Sequence, residues 1–281
     1  MYYIQETDKP NPIFKLLNII RLKGDKIILP ITEEQITVKK AKALARKTTK
    51  ILRKTNCNKL IISKNIKKQE IYLNYLYTEN FKIVDGKWLF QLLVDKVLDY
   101  LVEKQKLKKE EITVSILVNE MTEAILENIK QIVMQYKRVN IVTNHVEKFK
   151  KLEKEILEEY GIMITVGNNK KKSLAKSKII LNVDFPTEII NQYRLYEEAI
   201  IINLRGDVKI NKKRFNGINI NDYEIDFEQI EDFDYDKRYL YYKKDIYEGK
   251  TSKKCPISYI KKEIKEDRVK ISELVGNKTI L

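Results

Sequence analysis

Few side chains in this 281-residue chain have the type and spacing to do chemistry. His145 is the only histidine. It follows Asn144 in "TNHVEKFKK", where a strand-like run gives way to a helical one. Protonated, an imidazole there can meet a phosphate, but an ordinary pKa of about 6.5 makes it a poorer partner than a permanent cation. The second turn of interest lies in "SILVNEMTEA", where Asn119 and Thr122 precede an amphipathic helix. Their side-chain oxygens can cap that helix, and the N–H groups at its start can hold a small anion. Cys57 and Cys255 lie far apart, without CxxC spacing or a neighbouring histidine, so neither a disulfide framework nor a zinc site is expected. No Ser–His–Asp or HExxH arrangement exists, so no catalytic residue is assigned and no metal is expected. The residues leave enzyme and non-enzyme readings both open.

These turns are positioned by a regular alternation that begins at Ile112. Strand "ITVSILV" leads to helix Met121–Tyr136, strand "RVNIVTN", helix Val146–Tyr160, strand "IMITVG", a short helix around Lys171–Ala175, and strand "KIILNVD". A helical "FPTEIINQY" and strand "AIIINL" follow. Helix Val146–Tyr160 shows one apolar face through Val146, Phe149, Leu152, Ile156, Leu157 and Tyr160. Continuous apolar strands alternating with amphipathic helices specify a parallel sheet covered on both faces, a Rossmann-like α/β domain. Ligands of such sheets bind at the carboxyl ends of the strands. Ser63, Asp85, Asn119, Asn144, Asn168, Asn169, Lys170, Asn182, Asp184 and Arg205 are therefore the polar groups of interest.

The N-terminal third has another order. "YYIQE" reads as a strand, and two apolar runs flank Gly24-Asp25 as in a hairpin. From Val38 the period becomes helical: Val38, Ala41, Leu44, Ala45, Thr48, Ile51 and Leu52 form one face and basic residues the rest. "KLIIS", a helix in "KKQEIYLNYLYTEN", strand "FKIVDG" and a helix from Trp88 complete a smaller α/β domain. Lysine-rich Lys104–Glu111 reads as a joint. Past Gly206, "DVKINKKRFNGINI" resembles a hairpin, and acids alternate with apolar residues from Asp222 as in an edge strand with a charged outer face. Eight acids lie between Asp222 and Asp236; a hard cation is the other reading of that cluster. "KRYLYYKKDIYEG" and "CPISYIKKEI" read as helices. The expected division is 1–108, an N-terminal α/β domain; 109–221, the Rossmann-like domain; and 222–281, an acidic strand and C-terminal helices packing back on the first domain.

Composition excludes some functions. No run of about 18 apolar residues occurs, so no membrane span and no membrane partner are expected. The N-terminus lacks the basic-then-apolar pattern of a secretory signal, which points to the cytoplasm. The formal charge of +15 invites nucleic acid as a partner. Only nine of 55 basic residues are arginine, however, the residue favoured for bidentate phosphate and base contacts. Nucleic acid stays an alternative.

From Ile112 to Leu204 the chain resembles the NADP-dependent two-domain dehydrogenases, in particular shikimate dehydrogenase and the nucleotide-binding domain of glutamyl-tRNA reductase. In those families the first turn carries G-x-G-x-x-G, frequently with "GEMGE". Setting "NEMTE" against it puts Leu117, Asn119 and Thr122 on the three glycine positions. The resemblance also places Asn144 and His145 on the "NR" of the "NRT" that selects NADP. "TNCNK" around Cys57 is similar to the "TCNR" of glutamyl-tRNA reductase, but the inserted Asn56 shifts the pattern. With side chains where glycines approach the pyrophosphate, the expectation is a degenerate scaffold without a dinucleotide cofactor, acting by binding a small ligand or protein partner. The alternatives are an oxidoreductase holding NADP through Asn119, Thr122, Asn144 and His145, with Lys170 or Asp184 near a substrate, and a basic RNA-associated protein.

Overall fold

Alternating apolar residues build the first sheet. In chain order come β1 (Tyr2–Glu6), α1 (Pro12–Leu17), β2 (Arg21–Lys23), β3 (Lys26–Leu29), α2 (Val38–Lys54), β4 (Lys59–Ile62), α3 (Lys64–Lys67), α4 (Glu70–Thr78) and β5 (Lys82–Ile83). The strands lie in the order β2-β3-β1-β4-β5. The β2–β3 pair is an antiparallel hairpin turning at Gly24, as the sequence pattern predicts; the other pairs are parallel. Ile4, Leu60 and Ile62 face Leu44, Leu52, Tyr72 and Leu76 of α2 and α4. Tyr3 and Ile61, one residue out of phase, face the other way onto Tyr241 and Ile246. The apolar run before β2 does not extend the hairpin. Pro12 at the helix start and the Asn11 cap turn it into α1, which Asn18 ends in a left-handed conformation.

The computed structural model describes every residue except 10, 33–35, 56, 58, 212, 214, 229–239, 252–254 and 278–281. It divides into two compact units, Met1–Gly86 with Gln229–Cys255, and Lys87–Glu228 with Pro256–Leu281.

The second unit opens with α5 (Lys87–Leu92) and α6 (Val94–Lys104). It continues through β6 (Thr113–Leu117), α7 (Glu123–Gln135), β7 (Arg138–Val142), α8 (Val146–Tyr160), β8 (Thr165–Gly167), β9 (Ile179–Asn182), α9 (Thr187–Ile190), β10 (Ile200–Asn203) and β11 (Ile218–Asp226). The chain then supplies α10 (Lys243–Lys250) to the first unit before α11 (Ile257–Glu266) and β12 (Lys270–Gly276) complete the second. The sheet order is β12-β11-β10-β9-β6-β7-β8. All neighbours are parallel except β11–β12. Counted from β6, the parallel strands run 3-2-1-4-5-6, the order of the doubly wound dinucleotide fold. The protein is thus α/β, with a Rossmann-like parallel sheet, a smaller α/β unit and a C-terminal helix, α11.

Three local expectations differ from the structure. Lys171–Ala175 forms successive turns rather than a helix, because the Asn169 side chain accepts from the backbone N–H of Lys171 at 3.0 Å and Lys172 at 3.1 Å. In "DVKINKKRFNGINI" only the part from Ile218 is extended among the described residues. β11 has the expected alternation, burying Tyr223 and Ile225 and exposing Asp222 and Asp226, but it is not an edge, since β12 pairs beyond it. Half of the acidic cluster, from Glu231 to Asp236, lies outside the described residues.

Candidate functional site at the sheet crossing point

β6 and β9 are neighbours whose connections leave in opposite directions along the sheet, one towards β7 and the other towards β10. This is the topological switch point, and a ligand of such a fold enters the crevice beyond these strand ends. Here Asp184, just past β9, bridges the opening. Its carboxylate accepts from the backbone N–H of Asn119 at 2.9 and 3.0 Å and of Glu120 at 2.8 Å. These amides lie in the turn where a dinucleotide fold presents N–H groups to a pyrophosphate. The chain's own carboxylate therefore occupies donors that would serve a phosphate, and charge-assisted bonds of this length are the stronger kind. Glu120 adds a second negative charge, held by Arg205 at 2.8 Å. Two carboxylates at one turn oppose a bound polyphosphate.

The sequence-predicted residues meet along the neighbouring strand ends. The Asn119 side-chain oxygen accepts from the Asn144 N–H at 2.9 Å. The Asn144 side-chain oxygen accepts from the Asn168 amide at 2.8 Å, and the Asn168 oxygen accepts from the Tyr193 hydroxyl. Tyr193 is fully buried, which raises its phenol pKa. β6, β7 and β8 are thus tied laterally at their carboxyl ends. Thr122 caps α7 through Ile125 N–H at 3.3 Å. His145 is exposed at the N-terminus of α8; its backbone N–H goes to the Thr143 hydroxyl at 3.1 Å, and its side chain makes no capping bond. Leu117, read as filling phosphate space, belongs instead to the core. It is fully buried and packs with Val142, Leu174, Ile180 and Phe185.

On the other side of the switch point lies a buried asparagine ladder. The Asn182 amide donates to Asn203 Oδ1 at 2.8 Å and to the Phe185 carbonyl at 2.9 Å. The Asn203 amide donates to Asn219 Oδ1 at 2.9 Å and Asn221 Oδ1 at 2.8 Å, and Asn219 donates to the Val208 carbonyl at 2.6 Å. Asn203, Asn219 and Asn221 were not among the residues expected at this edge. Their signal is the repeated "IILN", "IIIN" and "ININ": an asparagine closes β9 and β10, and two more open β11 at the level of Asn203. Separately, in the segments that follow β8 and precede β10 and β11, Lys170, Lys171, Gln192, Arg194, Tyr196, Glu197 and Phe215 line a cleft of about 410 Å³. Its three cations suit an anionic group and its aromatic walls a flat or apolar one.

The first unit has its own polar cluster at the carboxyl ends of β1 and β4. Ser63 donates to the buried Glu6, Asn65 donates to Glu6 at 2.8 Å, and Lys67 pairs with fully buried Asp245 at 2.5 Å. These bonds fasten α3 and α10 to the sheet. Cys57 and Cys255 are free and half-buried. Among the described residues there is no metal-holding group of three or more His, Cys, Asp or Glu, and no helix long and apolar enough to cross a membrane.

Strand order, switch point and turn define the second unit as a Rossmann-type scaffold. No family model and no curated protein matches the chain. Solved structures similar to it include L-tryptophan dehydrogenase from Nostoc punctiforme, at 11% identity and TM-score 0.34, over 76% of this chain and 65% of that one. Another is 5-ketofructose reductase of a Gluconobacter strain, at 15% identity and TM-score 0.31, over 51% and 54%. Shikimate 5-dehydrogenase from Listeria monocytogenes, in complex with shikimate and NAD, aligns at 14% identity and TM-score 0.29, over 72% and 77%. The chain thus spans less than two thirds of the first two.

Proposed function

We propose that this protein is a degenerate Rossmann-type protein that does not hold a dinucleotide in the standard way and acts by binding a small ligand or protein partner. One observation carries the reading: the Asp184 carboxylate already accepts from the Asn119 and Glu120 amides across the switch point. For a pyrophosphate to take those amides it must break these bonds and approach two carboxylates, and the nearby Arg205 is itself engaged by Glu120. The cleft beside Lys170, Lys171 and Arg194 supports the small-ligand part of the reading, with a compact anion as its class.

The test is calorimetric titration of the full chain with NAD, NADP, FAD and S-adenosylmethionine. No saturable heat is expected with the three dinucleotides. Binding of NADP in the micromolar range, abolished by His145→Ala, would replace this reading with that of an oxidoreductase using Asn144 and His145.

A further inference from the structure

The first unit builds an apolar surface that its own core does not use. α1 has no buried residue. Leu16 is 81% exposed, Ile13 60% and Leu17 56%, and Leu22 and Val38 beside them are 50% and 52% exposed. The helix is nevertheless held firmly. Asn11 caps its start, and the Lys47 ammonium donates to the carbonyls of Leu17 at 2.7 Å and Asn18 at 2.9 Å at its end. With its ends fastened in this way, the short helix presents Ile13, Leu16 and Leu17 outward, and clustered exposure of this kind marks an interaction surface.

The surroundings are cationic. α2 carries eight basic residues and no acid among its 17. Lys15, Lys39 and Lys40 line a groove of about 530 Å³ with Pro12, Leu16 and Ala43. Arg21 lies 5.9 Å from the ring centre of Phe14, and Lys47 is already at the end of α1. Cations from α1, β2 and α2 therefore surround the aliphatic rise.

We propose that this face of the first unit adsorbs to an anionic phospholipid bilayer, with Ile13, Leu16 and Leu17 entering the headgroup–acyl boundary and Lys15, Arg21 and Lys39 meeting lipid phosphates. A second copy docking through the same face would bring two cationic surfaces together. Single-stranded nucleic acid favours aromatic stacking platforms, whereas these exposed residues are aliphatic. Projecting aliphatics with a basic surround supply the two signals, apolar and electrostatic, that reversible membrane adsorption needs. The sequence expectation of no membrane partner rested on the lack of a spanning segment. Adsorption needs none.

The experiment is co-sedimentation of the full chain with vesicles of phosphatidylcholine alone and of phosphatidylcholine mixed with phosphatidylglycerol, with poly(U) as competitor. Binding is expected to the mixed vesicles only, weakening at high salt. Replacing Leu16 and Leu17 together by serine should lower partitioning about tenfold with an unchanged melting temperature, and Lys39→Ala should lower it about fivefold. Absence of binding to mixed vesicles at low salt overturns the proposal. So does equal binding by the double-serine protein with full displacement by poly(U), which would make the face a general polyanion surface. Dimers dispersed by the double substitution would assign it to a protein interface instead.

Discussion

Replacing Asp184 by alanine removes the acceptor of both turn amides at once. The three contacts, at 2.8 to 3.0 Å, involve two donors. A hydrogen bond to a charged group contributes about 1.5–3 kcal/mol when buried. Asp184 is only partly buried, so water can satisfy the released amides, and about 1 kcal/mol per amide is the appropriate scale. The sum, about 2 kcal/mol, corresponds to roughly 30-fold faster local opening of the turn. Asp184→Asn keeps one neutral acceptor and should show about half that loss. Amide hydrogen exchange resolved at residues 119 and 120 reads this directly, without requiring the two units to unfold as one. Unchanged exchange at both amides in the alanine variant would refute the idea that the carboxylate closes the crevice.

Other outcomes follow from the same structure. Asn203→Ala removes the donor to the buried Asn219 oxygen and the acceptor of the buried Asn182 amide and should destabilise the second unit by about 2 kcal/mol in urea unfolding. Lys67→Met removes the cation paired with buried Asp245 and should cost the first unit about 3 kcal/mol, seen as an earlier thermal transition. Tyr136 is buried, its hydroxyl has no hydrogen-bond partner among the described residues, and burial, aided by Asp99, pushes its phenol up to about 12. A raised folded-state value means that the unfolded chain ionises first, so this contribution to stability is intact below pH of about 10 and is lost as pH rises towards 12. Tyr136→Phe should therefore flatten the alkaline part of the unfolding midpoint-versus-pH curve, and raise neutral-pH stability by about 1 kcal/mol.

Much of the second unit was legible in its sequence because long periodic segments dominate it. Helix Val146–Tyr160 occurs at the bounds its apolar spacing indicates, and the strands from "ITVSILV" to "AIIINL" are all present. Short segments were less legible. Three lysines after Asn169 look helical by composition, but a side-chain-to-backbone bond captures the turn first. β12 escaped notice because its pairing partner, β11, is distant in sequence and its own pattern is mixed. At the crevice, Asn119 and Asn144 are joined by a hydrogen bond, while Leu117, expected where a pyrophosphate would lie, points away from it. Strand alternation sends that side chain into the core. The decisive group, Asp184, is 65 residues from its donor, and no local pattern encodes such a bond.

The route of the chain through its two units bears on how the protein is made. The path leaves the first unit at Gly86, lays down six parallel strands of the second, returns for Gln229–Cys255, and only then supplies β12. During synthesis, neither unit receives its last packing element until most of the polypeptide has left the ribosome. A nascent chain halted before residue 240 would leave the Tyr3–Ile61 side of the first sheet without Tyr241 and Ile246. Early translation products should accordingly be held by chaperones, and protease resistance should arrive late and in both halves together.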